Sequence, residues 1–184
     1  MTKYELHIQR WGKGCGASIC CEANRIVLAR GKIPCDILFI GEAPGVSEDV
    51  LGLPFIGPAG KLLDQIITRS VPSSLRVALT NLVGCIPKEG GTKTGEPDDE
   101  SILSCKPRLE EFIGIANPRL IVAVGNLSRT FLERGMRDSV RIPREVKVAG
   151  IVHPAFILRQ NVANQGLQIQ RCVVTIANAV EELL

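Results

Sequence analysis

ILFIGEAPGVSEDVLGLPFIGPAGKLLD, residues 37–64, opens with four apolar residues in a row, a length that suits a strand buried on both faces of a parallel sheet. The run stops at Gly41-Glu42-Ala43-Pro44-Gly45, where two glycines and a proline let neither strand nor helix continue. Two acids follow (Glu48, Asp49), then Pro54-Phe55-Ile56-Gly57, and from Ala59 the spacing of Leu62, Leu63, Ile66 and Ile67 is helical. A strand-to-helix loop of this kind lies beyond the carboxyl end of its strand, where open α/β sheets hold their ligands.

Outward from that loop the chain alternates strand and helix patterns. The second strand spans residues 75–83 and carries Asn81 near its carboxyl end. Residues 84–99 are a polar, Gly/Pro-rich excursion; a helix capped by Asp98 or Asp99 then runs to about residue 115, with Ile102, Leu103, Leu109, Phe112 and Ile113 on its apolar face. A third strand is expected at 120–125, a short helix at 126–134, a fourth strand at 146–152 and a closing helix over about 168–184. Residues 1–35 show weak periodicity, with a short strand or helical turn at 25–28 before a turn. The pattern predicts one α/β domain over residues 1–184, three-layer α/β/α with a four-stranded parallel sheet.

Composition narrows the class. Apolar residues at 45% and charged residues at 22% describe a globular chain, and the net charge of +3 permits a nucleic-acid partner without requiring one. No stretch has the length or apolarity of a membrane span, and the first residues lack the apolar centre of a signal peptide, so a cytoplasmic location is expected. Seven cysteines are many for a chain of that compartment, where disulfides are disfavoured, so metal or cluster ligation becomes a leading reading for some of them.

In a parallel sheet Glu42, Asn81 and His153, each at the end of a different strand, converge on one edge. Polar groups gathered in a cleft are the usual mark of a site.

The long loop, with GEAPG, then ED, then GLPFIGPAGKLLD, resembles the signature of the family 4 uracil-DNA glycosylases. HPAFILR at 153–159 resembles the second motif of that family, HPA-x-LLR. The resemblance implies a uracil-DNA glycosylase-like fold and hydrolysis of the N-glycosidic bond of uracil in DNA, the first step of base-excision repair. It implies Glu42 as the carboxylate that orients or activates water, with Asp49 helping to hold the loop or the water. His153 would donate to the uracil O2 as charge develops there. Phe55 would stack on the flipped base, Asn81 would read its edge, Glu48 would wall the side of the thymine methyl, and Ala43 would join them in binding the substrate. Ile157 and Leu158 would form the wedge that enters the base stack, and Arg159 would grip a phosphate. No lysine flanks Glu42, Asn81 or His153 in the sequence, so Schiff-base lyase chemistry is not expected.

The same resemblance implies a [4Fe-4S] cluster held by Cys15, by Cys20 or Cys21, by Cys85 and by Cys105, with a structural zinc as the alternative. Here the chain departs from the family, whose first pair is C-x-x-C, whereas Cys15 and Cys20 are separated by four residues. It also reads NLVGCIPK where the family has N-x-VKCRPP, so that Lys88, Lys93 or Arg129 would have to supply the missing positive charge. Cys35 and Cys172 are expected as small buried hydrophobes. The expected partner is uracil-containing DNA, single-stranded or mismatched, met by a monomer. Two other readings stay open: a non-catalytic nucleic-acid-binding module of the same fold, and a glycosylase for another damaged or modified base.

Overall fold

The computed structural model describes residues 1–15, 23–89, 93–133 and 139–184, with residues 88, 89, 93 and 94 described by their backbone alone. In chain order the elements are α1 (Lys3–Trp11), β1 (Ala29–Gly31), β2 (Ile37–Gly41), α2 (Val46–Leu51), α3 (Pro58–Ser70), β3 (Val77–Asn81), β4 (Lys88–Glu89), β5 (Lys93–Thr94), α4 (Asp99–Ala116), β6 (Leu120–Val124), α5 (Asn126–Leu132), β7 (Lys147–Ile151), α6 (Pro154–Leu158) and α7 (Val162–Glu181).

The sheet has the order β1-β3-β2-β6-β7. Its four parallel strands β3, β2, β6 and β7 are those expected from the apolar runs, and β2 and β6 are buried at every position. The fifth strand is a correction to the four-stranded expectation. β1 pairs antiparallel with β3, Ala29 opposite Thr80 and Gly31 opposite Ala78. Only three residues long, β1 carries no periodicity of its own. Gly31 sits at φ +106°, where an added Cβ would collide with the Val77 carbonyl, so this edge closes only because the residue is glycine.

The pleat divides the strands between two cores. Leu38, Ile40, Ala78, Ile121 and Ala123 face α4 through Leu109, Phe112 and Ile113. Ile37, Phe39, Leu79, Leu120 and Val122 face the opposite layer, Leu63 and Ile66 of α3 and Val173 and Ile176 of α7. This is the three-layer α/β/α arrangement. Leu103, expected on the apolar face of α4, is 40% exposed instead.

Topology places the site. The chain leaves β2 toward α3 on one face of the sheet and leaves the adjacent β6 toward α5 on the other. The crevice between two such diverging connections is where doubly wound sheets bind ligands. Glu42 follows β2 directly, Gly125 follows β6, and His153 lies two residues beyond β7. Among the described residues no helix is long and apolar enough to cross a membrane.

Candidate active site

A cleft of about 770 Å³ opens at these strand ends, lined among others by Glu42, Ala43, Glu48, Phe55, Asn81 and His153. That volume lies within the range of small-molecule sites. Glu42, Asn81 and His153, predicted from the sequence to converge, do so.

Two glycines make the convergence possible. A Cβ at Gly41 would strike both the Phe55 ring and the Asn81 carboxamide oxygen, so ring and amide close in over a bare backbone. A Cβ at Gly125 would collide with the Glu42 carboxylate and lie 3.3 Å from the His153 Cβ. Gly125 has φ +104° and ψ 164°, a conformation almost confined to glycine.

Glu42 is half-buried and accepts a hydrogen bond from the Leu127 backbone N–H at 3.3 Å. Burial pushes its carboxyl above the ordinary value; the Leu127 N–H works against this, and the neighbouring charge of Glu96 adds to it. Glu96, in the excursion before α4, also lines the cleft, a neighbour that the sequence motifs do not reveal.

His153 is the N-cap of α6. Its Nδ1 accepts from the Ala155 N–H at 3.1 Å, which leaves the proton of the neutral ring on Nε2. Burial lowers its pKa, and the charge of Arg159 lowers it further. The ring therefore offers the cleft a single N–H donor at neutral pH.

Phe55 is a non-glycine residue at φ +57°, an unfavourable conformation for an aromatic side chain. Arg30 holds it there. Its Nε donates to the Pro54 carbonyl at 2.7 Å, its Nη2 to the Phe55 carbonyl at 3.0 Å, and the same guanidinium pairs with Asp64 at 2.7 Å. Gly60, at the start of α3, is the surface on which the Phe55 carbonyl rests. Arg30 sits in the short edge strand, where no sequence pattern announces it.

The two acids of the loop are braces. Glu48 lines the cleft, but its oxygens accept from the backbone N–H groups of Ile56 (2.9 Å), Gly57 (2.8 Å) and Gly45 (3.1 Å). Asp49, expected at the water or the loop, is not among the cleft-lining residues. It accepts from the backbone and side-chain amides of Asn24 and from the Arg25 N–H, fastening α2 to the segment before β1. Of the two expected positions, loop or water, these contacts put Asp49 at the loop.

The second motif divides differently from the expectation. Ile157 is 0% exposed and packs in the core beneath α6, so it is no wedge. Leu158 is 42% exposed and Phe156 44%; Phe156 and Arg159 line the rim of the cleft. α6 has five residues, and its phase turns Ile157 inward.

The family model described as "Uracil DNA glycosylase superfamily" matches residues 29–175. A type-4 uracil-DNA glycosylase of Pyrobaculum aerophilum is 34% identical over 148 residues, 73% of this chain and 74% of the relative. The chain belongs to the uracil-DNA glycosylase superfamily. A type-4 uracil-DNA glycosylase of Thermotoga maritima is 31% identical over 159 residues, 82% of this chain and 79% of that protein. Another, of Saccharolobus solfataricus, is 39% identical over 111 residues, covering 60% of this chain and half of its own length, 50%. These relatives place the chain in the type-4 branch of the uracil-DNA glycosylases.

Cys85 and Cys105 are buried and Cys15 partly so. The Cys105 thiol is hydrogen-bonded to Cys15 and accepts from the Gly84 backbone N–H, so the residue preceding Cys85 touches the pair. Burial raises the Cys105 pKa, and the charge of Arg108 opposes that rise. Among the described residues no group of three or more His, Cys, Asp or Glu is arranged to hold a metal ion. Cys20 and Cys21 lie outside the described residues. The donor chemistry is compatible with a thiolate-bound group: Cys105 of α4 meets Cys15 of the segment after α1 and the Gly84 backbone next to Cys85, and thiolates are the donors such a group takes. Cys35, by contrast, is a solitary buried thiol pushed up to about 12 by burial, and Cys172 is buried and raised likewise. Arg129, a candidate for compensating DNA-binding charge, lies over Gly150 of β7 instead of in the cleft. The side chains of Lys88 and Lys93 are outside the description.

Proposed function

We propose that this chain hydrolyses the N-glycosidic bond of uracil in DNA and leaves an abasic site, as a monofunctional glycosylase of base-excision repair. The observation that carries the reading is the meeting of Glu42, Asn81 and His153, from three strand ends, with Phe55 in one cleft. A polar edge reader, an aromatic platform, a carboxylate and a neutral N–H donor are what excision of a pyrimidine requires.

The geometry of the cleft supports each role. Uracil, flipped out of the stack, lies against Phe55 with its edge on the Asn81 carboxamide. His153 Nε2–H donates to O2, and the bond strengthens as the departing base gains negative charge. Glu42, anionic beside the sugar, orients the water that attacks the anomeric carbon and favours the oxocarbenium-like transition state. Ala43 and the braced Glu48 loop form the wall of the pocket. Leu158 at the exposed end of α6 enters the gap left by the base, and Arg159 meets a phosphate.

Single-stranded or mismatched DNA is the preferred substrate of this reading, because extrusion costs least there. The chain acts as one domain, as a monomer, in the cytoplasm. Cys15, Cys85 and Cys105, with Cys20 or Cys21, hold a [4Fe-4S] cluster. When bound, that group supplies a rigid cross-link between the N-terminal segment, the β3 loop and α4.

The test is single-turnover cleavage of an oligonucleotide with one uracil, comparing the wild type with Glu42→Ala and His153→Ala. Alkali-labile product from the wild type, reduced by about two orders of magnitude or more in each variant, supports both roles. Variants as fast as the wild type overturn them.

A further inference from the structure

Arg108 is among the largest fully buried side chains, at 2% exposure, in the middle of a helix whose sequence gives it no reason to be inside. None of the ion pairs among the described residues includes it. Its Nη2 donates to the carbonyls of Asn81 at 2.6 Å and Leu82 at 3.0 Å, and its Nη1 to Thr80 Oγ1 at 3.4 Å. These acceptors lie at the end of β3 or one residue beyond it, on the strand that presents Asn81 to the cleft. Its Nε has no acceptor among the described residues and faces Gly84, lying 3.7 Å from where a Cβ would stand.

Carbonyl dipoles satisfy donors but do not neutralise a charge, and a buried cation without an anion is strongly unfavourable. Among the described residues the titratable neighbours narrow the source of the missing charge. Tyr4, His7 and Cys105 all feel the guanidinium. Burial keeps Tyr4 in its neutral phenol form, imidazole has no anionic form in this range, and the carboxylate of Glu111, three residues after Arg108 on α4, is taken up by His7 and Arg10. Cys105 lies three residues before Arg108 on α4, hence on the same face, and it touches Cys15 and the Gly84 backbone.

We propose that Arg108 is a positioning residue joining the thiolate site to the uracil pocket. Its charge is balanced through Cys105, on the same face of α4, once that thiolate holds the bound group, and its forked donors fix the backbone that aims Asn81. The proposal rests on the iron–sulfur reading of those cysteines. It gives the cluster site a consequence for base recognition: ligand loss strands the guanidinium, and the strand end carrying Asn81 loses its anchor.

The experiment uses cluster-loaded wild type, Arg108→Met and Arg108→Lys. Iron content and visible absorbance of the wild type come first, so that failure of the cofactor reading is recognised before any variant is compared. A wild type without iron ends that reading, and with it the charge-balance half of the proposal. Two quantities are then measured, the cluster midpoint potential by spectroelectrochemistry and inhibition by free uracil. Removing a nearby positive charge disfavours the reduced, more negative cluster, so Arg108→Met shifts the potential to more negative values. It also weakens uracil inhibition about tenfold, the loss of a charge-assisted hydrogen bond. Arg108→Lys keeps the charge but cannot span both carbonyls, so its potential stays near that of the wild type while uracil inhibition still weakens. A merely structural arginine moves thermal stability and leaves the potential alone. Arg108→Met with the wild-type potential, or either variant with wild-type uracil inhibition, overturns the proposal. Should Arg108→Met fail to fold, Arg108→Lys decides it by the same two readings; failure of both to fold counts against the division of labour and overturns it.

Discussion

Gly125→Ala tests whether the position of Glu42 governs the chemistry. The substitution adds one methyl group at φ +104°, ψ 164°, and that methyl would occupy the space of the Glu42 carboxylate. Backbone strain of this kind costs on the order of 1–3 kcal/mol, and relief by local adjustment sets the lower end. For a chain of this size such a loss lowers the melting temperature by roughly 2–12 °C. The carboxylate has to turn away, abandoning the Leu127 N–H at 3.3 Å. A displacement of about 1 Å from attack geometry costs on the order of a hundredfold in rate. Single-turnover excision on Gly125→Ala, Glu42→Ala and the double variant separates the effects. The expected result is a rate loss of about two orders of magnitude for Gly125→Ala that nearly vanishes in the Glu42→Ala background, because both changes act through one carboxylate. Full additivity, or a stable Gly125→Ala of wild-type rate, refutes the reasoning.

Three further outcomes are expected. Burial raises the Glu42 pKa, so its folded form is protonated more readily than its unfolded form, and folding loses stability as pH rises through the unfolded value of about 4.3. Glu42→Gln therefore melts at a higher temperature than the wild type near neutral pH, with the gain gone below about pH 4; an unchanged melting curve at pH 7 contradicts this. Ile157→Ala costs about 2–5 kcal/mol in denaturant unfolding, whereas Leu158→Ala leaves stability nearly intact and slows excision from duplex more than from single-stranded DNA; equal stability losses would reverse the assignment of the two faces. Cys105→Ser loses iron and its visible absorbance, while Cys35→Ser retains both; retention by Cys105→Ser removes it from the ligand set.

The parallel strands were legible because β2 and β6 are buried on both faces and read as unbroken apolar runs. β1 was not, because its residues Ala29, Arg30 and Gly31 owe their strand to β3 and to the positive φ of Gly31. α1 escaped a reading by periodicity because it buries only His7; its signal was the capping box of Thr2 and Glu5. The polar convergence at the cleft could be inferred, since parallel strands put their carboxyl ends on one side. The assignment of Asp49, Ile157 and Arg108 could not. Asp49 is occupied by Asn24 and Arg25 from a segment with no pattern. Ile157 and Leu158 are interchangeable apolar residues until the phase of a five-residue helix is known. Arg108 reads as a solvated charge, and only the tertiary structure turns it to the end of β3.

The most direct measurement follows release of free base from a single-stranded oligonucleotide bearing one uracil, beside the same oligonucleotide bearing thymine. Uracil is released from the first, with an alkali-labile abasic site left behind, and no thymine is released from the second. A folded, iron-containing, DNA-binding protein that releases no uracil would contradict the proposed function.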